Sequence, residues 1–132
     1  MFAVDHALTA LVVKRRYPTV SLAVLLVCVQ ALELAWVVLN YLGIEHTTTD
    51  AQVQSVANIH LAYMPYSHSV ATAIVAALVV WAGARAVGHS RLGQAAALEI
   101  VSHLVLDLLT HGHDIALFPG SKIGRASCRE RV

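Results

Sequence analysis

The chain has 132 residues, of which 58% are hydrophobic and only 13% are charged. With a mean hydropathy of +0.66, this composition excludes an ordinary soluble domain and predicts a single-domain integral membrane protein. The two cysteines, Cys28 and Cys128, lie in unrelated segments, so the sequence indicates neither a disulfide framework nor a thiolate metal site.

The last eleven residues have a separate origin. Residues 122–132 read KIGRASCRERV, which matches the in-frame translation of a common short-read sequencing adapter. We interpret this tail as artefactual, and we expect the natural protein to be truncated here and to continue beyond Ser121. Without the tail, five basic and seven acidic residues remain, and the formal net charge changes from +1 to −2. The basic end is therefore no signal for nucleic acid.

The N-terminal part predicts a short helix followed by a membrane span. The short helix corresponds to residues 2–13, provided that this segment folds into the membrane. The basic cluster of residues 14–16 follows it. Residues 19–44 are apolar over more than the roughly 20 residues that a span requires. Gln30, Glu33 and Asn40 interrupt this span, and Gly43 ends it. The polar segment 45–66 predicts a surface loop.

Two further spans are predicted in the second half. Residues 69–88 are rich in alanine and valine, with Ser67 as the expected cap, and residues 92–110 follow Arg91. Basic residues flank the first span on its N-terminal side and the connection between the second and third spans. The positive-inside rule places both regions in the cytoplasm. The fold class is therefore an all-α bundle of about three transmembrane helices plus a short N-terminal helix.

The third span carries a polar stripe. Glu99, His103, Asp107 and His111 recur every fourth residue, which stacks them along one helix face. Each step drifts by roughly 40°, so His103 and Asp107 form the firm pair and Glu99 is expected outside it. Imidazole and carboxylate are ligands of zinc, and also of iron and manganese. The alternative is a hydrogen-bonded seam between helices.

Other ionisable residues are expected at a similar depth. Glu33 and His68 both fall in the outer halves of their spans, where they become candidate partners of His103 and Asp107. His6 lies on the cytoplasmic side of the basic cluster. It reaches the others only if residues 2–13 fold into the membrane.

Four segments together carry a family resemblance: FAVDHALTALVVKR, QALELAWVVLNYLGIEH, PYSHS and SHLVLDLLTHGHD. In this order they resemble the small bacterial inner-membrane proteins described as membrane-bound, metal-dependent hydrolases, a family with a LexA-regulated member. The resemblance covers nearly all of residues 1–121. It implies metal-ligand roles for four residues: His6, His68, His103 and Asp107. It also suggests a role for Glu33, although relatives usually carry Asp at that position.

The resulting expectation is a multi-pass protein of the bacterial inner membrane that hydrolyses a phosphoester or lipid substrate through a metal-activated water. Zinc is the expected divalent metal, Glu33 a bridging ligand or general base, and His111 or Asp114 a residue that orients the ligands. Two alternatives remain: a transporter that handles metal or protons, and a structural protein with a satisfied polar seam. A metal site requires at least three of these side chains within about 4–5 Å of a common point.

Overall fold

The computed structural model describes residues 3–49, 59–110, 115–119 and 121. Five helices dominate this part of the chain, joined by one pair of short strands. In chain order the elements are α1 (Ala3–Arg16), α2 (Leu22–Val29), α3 (Ala31–Tyr41), β1 (His46–Thr49), β2 (Ile59–Tyr63), α4 (Val70–Ala86) and α5 (Ser90–Thr110). The prediction of a helical fold is confirmed.

The first predicted span is broken at Gln30. Helices α2 and α3 meet there at an angle of 47°, so residues 19–44 do not form one straight helix as predicted. The Gln30 N–H bonds to the Val27 carbonyl oxygen over 3.2 Å, a tightened last turn, and the Gln30 carbonyl accepts the Leu34 N–H. The kink turns α3 away from the axis of α2.

The predicted surface loop 45–66 contains paired strands. Strand β1 pairs antiparallel with β2, with His46 opposite Tyr63 and Thr49 opposite Ile59. Before β1, Gly43 adopts a φ of +71°, a left-handed conformation that suits glycine at a helix end. This turn and the strand pair bring Glu45 beside the segment that precedes α4.

Helices α4 and α5 form a close antiparallel pair. Ser69 caps α4 by accepting the Thr72 N–H over 3.2 Å, so the predicted cap at Ser67 is wrong. The connection to α5 turns at Gly88, whose φ is +81°. A Cβ at Gly93 would lie 2.9 Å from both the Ala84 Cβ and the Trp81 carbonyl oxygen, so glycine is what allows this approach.

Helix α5 is the central element, because it contacts all four other helices. Ile100 and Leu104 pack with Leu32 of α3 in one apolar cluster, while Ala95 packs with Leu25 of α2 in another. The buried face of α5 therefore meets different neighbours along its length.

Among the described residues, α5 is the one helix long and apolar enough to cross a membrane, over Ser90–Leu109. Helices α2 and α3 qualify only together, as one bent span, and α4 is apolar but has 17 residues. A bundle of three spans is thus not shown. Large apolar side chains are nevertheless exposed on every helix, among them Leu8, Val27, Val37, Val38, Leu78, Val79, Leu108 and Leu109.

Candidate metal centre

Three histidines surround the Asp107 carboxylate. The Asp107 Oδ2 atom lies 3.1 Å from His103 Nε2 and 3.5 Å from His68 Nε2, while Oδ1 lies 3.4 Å from His6 Nε2. His103 and Asp107 share α5 at the four-residue spacing, His6 lies in the second turn of α1, and His68 lies just before α4. All four side chains are buried.

Glu33 completes the group from α3. Its Oε2 lies 3.6 Å from His68 Nε2, and its side chain is 47% exposed. Two overlapping sets result, His6–His103–Asp107 and Glu33–His68–His103, and within each set the donor atoms lie within 4.8 Å of one another. Each set could hold a metal ion, and His103 belongs to both. Glu33 lies at the open edge of the centre.

Several nitrogens in this centre are buried without hydrogen bonds. Among the described residues, His6 Nδ1 and both ring nitrogens of His103 have no hydrogen-bond partner. The 3.1 Å approach of His103 Nε2 to Asp107 therefore lacks the alignment of a hydrogen bond. Because unsatisfied buried polar groups cost about 1–3 kcal/mol each, such atoms call for an explanation, and a bound ion is one of the common ones.

Two of the histidine rings in the centre stack on each other. The His6 and His103 rings lie parallel within 12°, with their centroids 3.9 Å apart. The stacked rings thus lie beside two carboxylates, Glu33 and Asp107, whose charges one divalent cation would balance.

A second buried carboxylate, that of Glu45, is linked to His68 through Ser67. The Glu45 side chain, fully buried, accepts the backbone N–H groups of Tyr66 and Ser67 and the Ser67 hydroxyl. The Ser67 Oγ atom lies 2.8 Å from His68 Nδ1. Glu45 was not predicted as a site residue, because these bonds join residues 21 or 22 positions apart and leave no local sequence pattern.

The structure thus brings together five predicted site residues: His6, Glu33, His68, His103 and Asp107. Their convergence meets the distance requirement for a metal site, and their roles as ligands or base stay a prediction. His111 and Asp114, the predicted orienting residues, lie outside the described residues.

Glu99, the first member of the stripe, belongs to a separate polar cluster. Its Oε2 lies 3.3 Å from the Thr9 hydroxyl and 3.5 Å from Ser102 Oγ. The shorter bonds of these two hydroxyls go to backbone carbonyl oxygens, that of Thr9 to His6 over 2.7 Å and that of Ser102 to Glu99 over 2.8 Å. Glu99 is in neither candidate ligand set. The drift of the four-residue spacing accounts for this separation.

Comparison with protein-family models, with characterised proteins and with solved structures finds no match to this chain. The case for a function therefore depends on the geometry of the centre itself.

Proposed function

We propose that this chain is a membrane-embedded, metal-dependent hydrolase, the function implied by its resemblance to the bacterial inner-membrane family. The observation that carries the proposal is a pair of three-residue sets of imidazole and carboxylate donors, each with its donor atoms within 4.8 Å of one another. Both sets include His103, whose buried ring nitrogens have no hydrogen-bond partner among the described residues. Buried charged groups persist when they are paired or bound to a metal. A hydrogen-bonded seam fits less well, because a seam would satisfy these nitrogens.

His6, His68, His103 and Asp107 would hold the metal. Two or three imidazoles with a carboxylate form a ligand set typical of zinc, with manganese and iron as alternatives. A bound divalent metal supplies a water of lowered pKa and polarises a phosphoryl or carbonyl oxygen. Glu33, half exposed at the edge of the centre, would serve as a further ligand or accept the proton of the attacking water.

The surroundings of Glu33 favour a phosphoester or other bond in a lipid. Val37 lies one helical turn from Glu33 on the same face of α3, and Leu34 is adjacent; both are about half exposed. The open edge of the centre therefore borders apolar surface. A substrate with acyl chains would cover that surface while its headgroup reached the buried donors.

We also propose that the chain crosses the bacterial inner membrane several times. Helix α5, the bent α2–α3 pair and α4 would be the spans, with the exposed valines and leucines facing lipid. Exposed apolar patches of this extent are rare in soluble monomers. Extraction of the chain from membranes by detergent, but not by high salt or alkaline carbonate, is the expected result.

Metal analysis of the chain purified in detergent tests the centre directly. The wild type is expected to retain a divalent metal, whereas His103→Ala is expected to lose it. His89→Ala is the matched control, because His89 is exposed at the turn before α5 and bonds the Val87 carbonyl oxygen. A wild type that binds no zinc, manganese or iron after metal loading would refute the proposed site.

Hydrolysis is tested on phospholipid vesicles of defined composition. Metal-loaded wild type is expected to release a headgroup or phosphate, and Glu33→Gln is expected to bind metal but release product far more slowly. A chain that binds metal, hydrolyses no phospholipid or soluble phosphoester, and carries metal across the vesicle would instead be a metal-handling transporter.

A further inference from the structure

We propose that Glu45 and Ser67 are positioning residues that fix the tautomer of His68, placing its proton on Nδ1 and its lone pair on Nε2. The inference deepens the proposed function, on which its purpose depends, by adding two residues that prepare one ligand. It rests on a chain of hydrogen bonds whose direction follows from the number of hydrogens available.

This series of hydrogen bonds begins at the Glu45 carboxylate, whose oxygens can only accept hydrogen bonds. Oε1 accepts the Tyr66 N–H over 2.7 Å and the Ser67 N–H over 2.9 Å, and Oε2 accepts the Ser67 hydroxyl over 2.5 Å. A serine hydroxyl has one hydrogen to donate, and that hydrogen is used on Glu45. In the 2.8 Å contact with His68 Nδ1, the Ser67 oxygen must therefore accept.

The position of this hydrogen determines the state of Nε2, on the opposite side of the His68 ring. A neutral His68 with its hydrogen on Nδ1 has an unprotonated Nε2. That nitrogen lies 3.5 Å from Asp107 Oδ2 and 3.6 Å from Glu33 Oε2, which are both acceptors. Three acceptors facing one another are repulsive unless a proton or a metal cation lies among them. The tautomer imposed by Glu45 is thus the one that a metal ligand requires.

Holding Glu45 in this buried position costs folding free energy. Burial of a carboxylate is unfavourable, and three hydrogen bonds from two adjacent residues offset that cost. The left-handed turn at Gly43 and the bond from Asn40 Nδ2 to the Glu45 carbonyl oxygen, 3.1 Å long, hold the backbone. The pairing of His46 with Tyr63 brings this backbone beside Ser67.

The substitution Glu45→Gln reverses the direction of these hydrogen bonds and changes the shape of the side chain little. The two backbone N–H groups require an oxygen at the Oε1 position, so the new amide NH₂ would replace Oε2 and donate to Ser67. The Ser67 hydroxyl would then turn to donate to His68 Nδ1, which shifts the ring proton to Nε2. Such a ring no longer offers Nε2 to a metal.

Nitrogen-15 NMR of histidine-labelled, metal-free protein measures the tautomer. Spectra are recorded at alkaline pH, where the ring is neutral, and a His68→Ala spectrum identifies the signal. We expect the wild type to carry the His68 proton on Nδ1 and Glu45→Gln to carry it on Nε2. Zinc affinity of Glu45→Gln should fall about 10–100-fold, the usual effect of losing a group that orients a ligand.

Glu99→Gln is the matched control, because it also converts a buried carboxylate to an amide but contacts Thr9 and Ser102. It should leave the His68 tautomer unchanged. If Glu45→Gln does not fold, as judged by circular dichroism, Ser67→Ala is the second variant, and mixed tautomers are expected because Nδ1 loses its acceptor.

A wild-type His68 protonated on Nε2 would overturn the inference, as would a Glu45→Gln variant that keeps the wild-type tautomer. The tautomer is read without metal or substrate. Consequently, a wild type that shows the expected tautomer but binds no zinc supports the inference while refuting the proposed function.

Discussion

The buried face of α5 carries two polar clusters, one turn apart, that differ in composition and in neighbours. The inner cluster pairs Glu99 with the hydroxyls of Thr9 and Ser102. The outer cluster places Asp107 within 3.5 Å of nitrogens from three histidines. A carboxylate among hydroxyls is a polar contact within a helix bundle, whereas a carboxylate among three imidazoles belongs to a group of donors that could hold a metal ion.

The contrast teaches that a polar stripe on one helix is not one functional unit. Its members share a sequence spacing, but their partners differ. Helix α1 contributes Thr9 to the inner part and His6 to the outer part, and α3 and the segment before α4 add Glu33 and His68 to the outer part only. The partners supplied by other elements decide the chemistry of each part.

The largest difference between the clusters is expected from Asp107→Asn. The amide keeps the size of the side chain but removes the charge that faces three histidines. Metal affinity should fall by more than the roughly 100-fold that is the upper range for loss of an orienting group. Zinc titration of the purified variant measures this. A stoichiometry and affinity equal to those of the wild type would show that Asp107 does not bind the zinc.

Removal of the metal should lower the stability of the folded protein. This effect should depend on the outer cluster only. A ligand present at 100 times its dissociation constant stabilises the folded state by about 2.7 kcal/mol. The wild type should therefore melt at a lower temperature after chelation and recover on addition of zinc, as followed by circular dichroism in detergent. Glu99→Gln should show the same shift, and Asp107→Asn should show none.

Gly93→Ala tests whether the packing of α4 against α5 can be weakened without loss of metal binding at the centre. The added Cβ would meet the Ala84 Cβ and the Trp81 carbonyl oxygen at 2.9 Å, and overpacking typically costs about 1–3 kcal/mol. The melting temperature should fall while zinc stoichiometry stays at the wild-type value. A variant that melts normally would show that α4 and α5 can separate without cost.

The smallest effect is expected at the inner cluster. Thr9→Val removes a hydroxyl that lies 3.3 Å from Glu99 Oε2, and an ordinary hydrogen bond contributes about 0.5–1.5 kcal/mol. In the background of Glu99→Gln the same substitution should cost less, because the acceptor is then neutral. Melting curves of the four variants in this cycle measure the coupling. A change in zinc affinity would show that the clusters are linked.

Much of the helical architecture was predictable from local pattern. Long apolar runs gave α4 and α5 within two residues of their observed ends, and the four-residue spacing selected His103 and Asp107. The strands were missed, although the β-branched HTTT segment is a strand signal. The break at Gln30 carries no glycine or proline, the usual local causes of a kink, so the sequence pattern did not predict it.

The sequence by itself determined the apolar helices, the polar stripe on α5 and the candidate ligand types, because hydrophobic periodicity and side-chain chemistry are local properties. Only the tertiary structure decided that His6, Glu33 and His68 converge on the pair of His103 and Asp107. Each of the three comes from another element, so no local spacing fixes its distance from the pair. The same holds for Glu45, whose contacts with Ser67 depend on a strand pairing that no local pattern encodes.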